Sequence, residues 1–219
     1  MNLSRARALQ ERLRGEVVER DALGEVRHVA GADVSYDRGS PVLFAAVVVL
    51  DARTLEIVET SGVRARARFP YVPGYLSFRE APAVIAAFRR LRVRPDLLLC
   101  DGQGRAHPRR FGLACHLGVA LDLPSIGCAK SRLVGAHRAV GERRGCHVRL
   151  LDESDVVGEV VRTRPGVAPV YVSVGHRVCL ETARRLALRF ARGFRVPEPL
   201  RAAHAEVNLL RVESGTSEA

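Results

Sequence analysis

No stretch of this chain stays apolar for the roughly 18 residues that a membrane-spanning helix needs. The segment Met1–Arg14 is rich in arginine but has no apolar centre, so the expectation is that it is no signal peptide. Leu3, Leu9 and Leu13, spaced among polar residues, read instead as an amphipathic helix. Cysteine is sparse and unpaired. Cys100, Cys115, Cys128, Cys146 and Cys179 include no C-x-x-C, and their number is odd, which argues against a zinc site or a disulfide framework. Three of them sit in apolar runs and read as buried reduced thiols, which suits a cytoplasmic protein. No G-x-G-x-x-G or Walker pattern is present, so nucleoside-triphosphate chemistry has no support. There is no internal repeat, linker or low-complexity segment. The 219 residues fit a single domain over 1–212, followed by a disordered tail over 213–219.

Acidic residues are also scarce relative to basic ones. Lys+Arg 35 against Asp+Glu 24 leaves a net charge of +11 and a pI near 10.6. That balance points to a polyanionic partner, with nucleic acid the first candidate. The chain is 47% hydrophobic, enough for a sizeable core.

Periodicity predicts strands near Glu25–Tyr36, Pro41–Leu50 and Leu55–Arg66, an antiparallel meander with a turn at Asp51–Thr54. Phe69–Ser77 holds Pro70, Pro73 and Gly74 and reads as a loop. Then come a helix over Glu80–Leu91, a strand over Asp96–Asp101, a loop over Gly102–Arg109, a helix over Arg110–Leu121 and a short strand from Pro124 to Cys128. Residues 130–145 look irregular and basic, and 130–165 is a candidate insertion. Strands near Val156–Arg162 and Pro169–Val174 and helices over His176–Ala191 and Leu200–Leu210 complete the chain. The fold class is α/β: a mixed sheet, with a meander followed by parallel strands, flanked by helices.

Within this frame three acids stand out. Asp33 closes the apolar run Val29-Ala30-Gly31-Ala32, and Asp101 closes Leu97-Leu98-Leu99-Cys100 and opens Gly102-Gln103-Gly104. Glu80 lies between them in sequence. An apolar run ending in Asp-Gly reads as a buried strand that delivers a carboxylate to a sheet edge. If the first strand pairs with the fourth, Asp33 and Asp101 become neighbours. Two close carboxylates repel, and a divalent cation relieves that repulsion while orienting a phosphate. Mg²⁺ usually takes one or two carboxylates plus waters and phosphate oxygens. An isolated Asp at a strand end is ordinarily a turn former or helix cap; three acids on a basic chain favour phosphodiester chemistry.

Other residues have two readings each. His204 borders the apolar face of its helix, with Leu200 at i−4 and Val207 at i+3, and suits either core packing or general acid–base work. Lys130, after Ser125–Ala129, is either solvated or a phosphate contact. His107 is either a plain loop histidine or a site residue, and the amides around Gln103 can face a ligand. Pro70-Tyr71-Val72-Pro73-Gly74 is either a packing loop or a rigid wedge that presents Tyr71 and Val72 outward. Such a wedge can separate a base from its stack.

Long stretches resemble the endonuclease V family. They are Phe69–Glu80, Asp101–Gly104 with His107-Pro108-Arg109, Pro124–Ser131, Val174–His176 with Leu180–Ala183, and Arg201 with Ala203-His204. The matches run in the family's order from about Gly31 to His204; 135–165 is less distinctive, and Tyr75 and Cys128 are departures that remove no required ligand. The resemblance implies an RNase H-like fold. It further implies Mg²⁺-dependent hydrolysis, with Mn²⁺ substituting, at deoxyinosine in DNA or inosine in RNA. The cut falls at the second phosphodiester 3′ to the lesion and leaves 3′-hydroxyl and 5′-phosphate ends. By the same resemblance Asp33, Asp101 and Glu80 are the metal ligands, His204 assists near the attacking water, and Lys130 contacts the phosphate. Pro70, Tyr71, Val72 and Pro73 match the strand-separating wedge. Gly74, Leu76, Gly102 and Gly127 belong to the hypoxanthine pocket, and His107 is a substrate-binding candidate whose exact role stays open. A monomer is expected. A junction-resolvase type of nuclease and a non-catalytic nucleic-acid-binding protein are the competing readings. The first requires a further carboxylate in the last helix, where His204 and Glu206 stand.

Overall fold

The computed structural model describes residues 2–36 and 39–216. Among them eight strands form one sheet: β1 (His28–Ser35), β2 (Val42–Asp51), β3 (Ile57–Arg66), β4 (Leu97–Cys100), β5 (Ser125–Ala129), β6 (His147–Asp152), β7 (Asp155–Val161) and β8 (Val170–His176), in the order β3-β2-β1-β4-β5-β8-β7-β6. Five helices cover it: α1 (Leu3–Arg14), α2 (Leu76–Phe88), α3 (Leu113–Leu121), α4 (Leu180–Phe190) and α5 (Glu198–Thr216). The α/β class and the mixed sheet are as expected. Parallel pairing joins β1, β4 and β5, and beyond β5 the strands β8, β7 and β6 return to antiparallel pairing.

The continuous apolar runs are explained by burial on both faces. In β4, Leu97 and Leu99 face one way, among Leu186, Phe190, Leu200 and Ala203 of α4 and α5. Leu98 and Cys100 face the other way, among Ala81, Val84, Leu113 and Leu117 of α2 and α3. Each fully buried leucine contributes roughly 2 kcal/mol of transfer free energy. The thiols of Cys100, Cys115 and Cys128 are free and buried, and burial pushes the last two up to about 12, so they stay protonated. No helix among the described residues is long and apolar enough to cross a membrane.

Among the boundaries that differ from the sequence reading, one places His176 at the end of β8 with α4 starting only at Leu180, and three more have a clear physical cause. The helix expected from Glu80 begins at Leu76, so Pro82 lies inside it and Glu80 sits in its second turn. A proline normally marks the first turn, which is why the boundary reads late. The strand β6 lies in the candidate insertion 130–165, in a part to which no strand was assigned. It is a solvated edge with little buried apolar surface (Leu150 alone is fully buried), so period-2 alternation is hidden; with β7 it makes 147–161 part of the sheet rather than an insertion. Finally, α5 runs on to Thr216, past the expected start of the tail at 213, while 217–219 lie outside the described residues.

On α3, His116 is wedged between Phe78 and Phe111, with ring centroids 5.1 and 5.5 Å away, and its Nδ1 has no hydrogen-bond partner among the described residues. Burial alone pushes its pKa from 6.5 down to about 4. The folded value lies below the unfolded one, so in that window the unfolded chain binds the extra proton. Stability is therefore lost as pH falls from about 6.5 towards 4. Urea unfolding at pH 7 and pH 5 is expected to show the native chain losing about 2 kcal/mol more than His116→Leu. Equal losses would show that the ring is solvated.

Candidate active site

The sheet brings the two aspartates together by register. Strand β1 pairs parallel with β4 from Val29↔Leu97 to Ala32↔Cys100, so the next residue on each strand is Asp33 and Asp101. The Asp101 amide donates to the Ala32 carbonyl at 3.2 Å, extending the ladder to the carboxylates. The first strand does pair with the fourth, which was the condition for their meeting. From α2, Glu80 enters this region 6% exposed. Burial, then the charge of Asp33 and more weakly that of Asp101, push its carboxyl up to about 8, against the opposing effect of Arg79. Asp33 is raised too, first by burial and then by Asp101. The three acids therefore sense one another, and burial makes their charge costly without a cation.

Two basic side chains already answer that charge. The Lys130 ammonium, just past β5, lies 2.5 Å from Asp101 Oδ2. Its backbone is fixed by Arg195, which donates to the Lys130 carbonyl at 2.5 Å and to the Pro169 carbonyl at 3.0 Å. His204 Nδ1 lies 2.8 Å from Asp33 Oδ2, while Asn208, one turn on in α5, puts its amide nitrogen 3.2 Å from Nε2. A carboxylate only accepts, so the proton is assigned to Nδ1 and Nε2 accepts from Asn208. His204 is thus exposed beside Asp33 and not packed in the core. Its helix can come this close because Gly31 has no side chain: a Cβ there would lie 1.9 Å from the Pro199 carbonyl oxygen.

Beside Asp101 opens a cavity of about 440 Å³, lined by Tyr71, Val72, Pro73, Gly74 and Leu76 on one side and by Gly102, His107, Leu113 and Lys130 on the other. That volume suits a purine-sized group. Tyr71 is 62% exposed at its mouth. Val72 does not point outward as expected. It lines the cavity and packs half-buried on Phe69 and Phe78, because α1 supplies an apolar surface there. His107 is buried and held neutral, pushed down to about 4 by burial first and by Arg109 second. Its Nδ1 accepts from the Arg109 amide at 3.2 Å.

Pro70 and Gly127 lie outside the cavity lining. Pro70 is exposed. Gly127 is a spacer on β5, where a Cβ would lie 2.4 Å from the Gly104 nitrogen and force the 102–104 loop away. The amide of Gly104 is taken by Ser173 Oγ at 2.9 Å, so it is not free for a ligand.

Sequence reasoning missed the support of the Pro70–Gly74 loop. Gln10 of α1 is fully buried and donates to the carbonyls of Gly74 (3.2 Å) and Phe111 (2.9 Å), while accepting from Arg109 Nε at 2.5 Å. Arg109 also donates to the Gly74 carbonyl and lies over the Tyr75 ring. Gly74 has φ +77°, a left-handed conformation that favours glycine. A lone glutamine on an amphipathic helix carries no signal that it tethers a loop 64 residues away.

Among the described residues no three His, Cys, Asp or Glu side chains form a ready-made metal cage. The donor set at the sheet edge is all carboxylate oxygen, which fits a hard cation that keeps several waters rather than a fully protein-built cage.

The endonuclease V family model matches residues 11–205. Endonuclease V of Roseiflexus castenholzii is 55% identical over 205 residues, 94% of this chain and 91% of that one. The solved endonuclease V of Streptomyces avermitilis superposes with a TM-score of 0.94 at 44% identity, covering 98% of this chain and 95% of that one. The endonuclease V of Ciona intestinalis, solved with a 24mer DNA containing an inosine followed by a ribo-adenosine, gives a TM-score of 0.85 at 26% identity over 96% of this chain and 98% of that one. By sequence, by fold and over most of its length, this chain belongs to the endonuclease V family and is a nuclease.

Proposed function

We propose that the chain is a Mg²⁺-dependent endonuclease, with Mn²⁺ as a substitute, that hydrolyses the second phosphodiester 3′ to deoxyinosine in DNA, leaving 3′-hydroxyl and 5′-phosphate ends. Inosine-containing RNA is a further substrate. The observation that carries this reading is the purine-sized cavity opening directly beside Asp101. The Ciona relative bound to inosine-containing DNA supports it.

Asp33 and Asp101 would hold the cation, with Glu80 completing the acidic site directly or through water. When bound, the cation supplies charge neutralisation at the scissile phosphate and a more acidic water. The chain's own residues do the rest. Lys130 leaves Asp101 for a phosphate oxygen and stabilises charge developing there. His204, held by Asp33, orients the attacking water. Tyr71 enters the stack and fills the space vacated by the extruded base. In the cavity, a backbone N–H donated to the 6-oxo group accepts hypoxanthine. Adenine, with an amine there, would leave donors unpaired. Arg132, which lines the cavity, adds a phosphate contact and salt dependence, whereas Arg109 is taken up by Gln10 and the Gly74 carbonyl. Glu206 does not line this cavity, and His204 is the α5 side chain held by Asp33, which disfavours the junction-resolvase reading. The free thiols fit work in the reducing cytoplasm.

The test is cleavage of matched labelled DNA and RNA strands carrying one inosine or one adenine, in Mg²⁺ and in EDTA. A Mg²⁺-dependent cut one nucleotide beyond the inosine is expected. Equal cutting of adenine strands would instead indicate an unspecific nuclease, and cutting in EDTA would remove the cation from the mechanism.

A further inference from the structure

A second groove, of about 500 Å³, lies on the other flank of Lys130 and is lined by Arg164, Phe194, Arg195, Leu200, Arg201 and His204. Lys130 borders both concavities. Asp101 lines the first, while His204, the partner of Asp33, lines the second, so the carboxylate pair stands between them. We propose that this groove is a nucleotide subsite. It receives the strand just past the scissile bond, stacks the second nucleobase 3′ to the lesion on Phe194, and binds the adjoining phosphate through Arg164.

Phe194 is 43% exposed on the segment between α4 and α5. A single exposed aromatic needs no explanation in general. This one is stiffened: the Arg201 guanidinium lies 3.4 Å from its ring centroid, and Arg201 is itself held at 2.5 Å by Glu198. An arginine-backed ring beside a cationic wall is the arrangement that single-stranded nucleic acid binds, because every base has a π-face to stack. Arg201 is neutralised by Glu198, and Arg195 is committed to backbone carbonyls. Arg164 is exposed, with no hydrogen bond or ion pair among the described residues, and so remains the cation available for phosphate. The charge of the groove and its continuity with the active site through Lys130 both select a nucleic-acid strand as occupant.

This subsite rests on the cleavage position proposed above, and its test is arranged so that the two can fail separately. Binding of fluorescent single-inosine DNA strands is measured in EDTA, so that no cleavage is required. The second nucleotide 3′ to the inosine is either normal or abasic. For the native chain the abasic strand is expected to bind about tenfold more weakly, the size of one lost base–aromatic stack. Phe194→Ala should lose the same tenfold on the normal strand and less than twofold on the abasic one, with an unchanged melting temperature. Arg164→Ala should lower the slope of log Kd against log salt by about 0.7, one phosphate contact on a single strand. Equal losses by Phe194→Ala on both strands, or no loss on either, would overturn the subsite. Equal affinity for inosine and adenine strands would count against the proposed substrate and leave the stacking comparison readable.

Discussion

Asp101→Asn is expected to cut the rate of strand cleavage about a thousandfold or more in Mg²⁺ while leaving affinity for an inosine strand within about threefold. The substitution is isosteric, so the β4 end and the cavity wall keep their shape. It removes one of the two carboxylates that face each other across β1 and β4, and with it the strongest claim on a cation at the sheet edge. A divalent cation contributes several kcal/mol to stabilising phosphoryl charge in the transition state, and each ~1.4 kcal/mol is a factor of ten. The loss of the Lys130 ion pair does not confuse the result. Lys130 is 43% exposed, and such pairs stabilise a fold by less than about 1 kcal/mol. The base cavity and Tyr71 are untouched, which is why binding should persist. Single-turnover cleavage and anisotropy titration together decide it. A variant that cleaves at the native rate in Mg²⁺ would remove Asp101 from the metal assignment.

Gly31→Ala is expected to lower the melting temperature by roughly 6–12 °C and to weaken cleavage in the fraction that folds. The added methyl would sit 1.9 Å from the Pro199 carbonyl oxygen and 2.9 Å from the Leu200 nitrogen, both backbone atoms with no rotamer to escape into. Overpacking of this kind costs about 3 kcal/mol, and for a chain of this size each kcal/mol is worth about 2–4 °C. The backbone at Pro199 begins the helix that carries His204, so relief by moving α5 outward pulls His204 from Asp33. Thermal unfolding combined with cleavage by the surviving folded protein separates the two effects. A stable, fully active variant would show that α5 adjusts freely and that its contact with β1 does not position His204.

Local chemistry made the strands and the acids legible. Val29–Ala32 and Leu97–Cys100 are unbroken apolar runs because both faces of the central sheet are covered, and each ends in an Asp that cannot remain in the core. The paired prolines around Tyr71 announced a stiff loop in the same way. What stayed hidden depended on partners far away in sequence. Strand β6 has a solvated edge pattern because it pairs with a strand on one side only and with a single bridge, Ala136 to Leu151, on the other. Gln10 looks like any polar helix residue until Gly74, Phe111 and Arg109 surround it. Asn208 is an ordinary surface amide until His204 turns towards Asp33.

Residue order alone was enough to establish a basic, cysteine-poor α/β chain with three well-placed acids, because hydropathy period and charge are local properties. That His204 stands exposed beside Asp33 and not in the core was decided only by tertiary structure. Its helix offers an apolar and a polar side, and sequence spacing places it on the border. Only the approach of α5 to Gly31 on β1 sets its imidazole 2.8 Å from the Asp33 carboxylate, where the hydrogen bond holds it at the sheet edge instead of in the core.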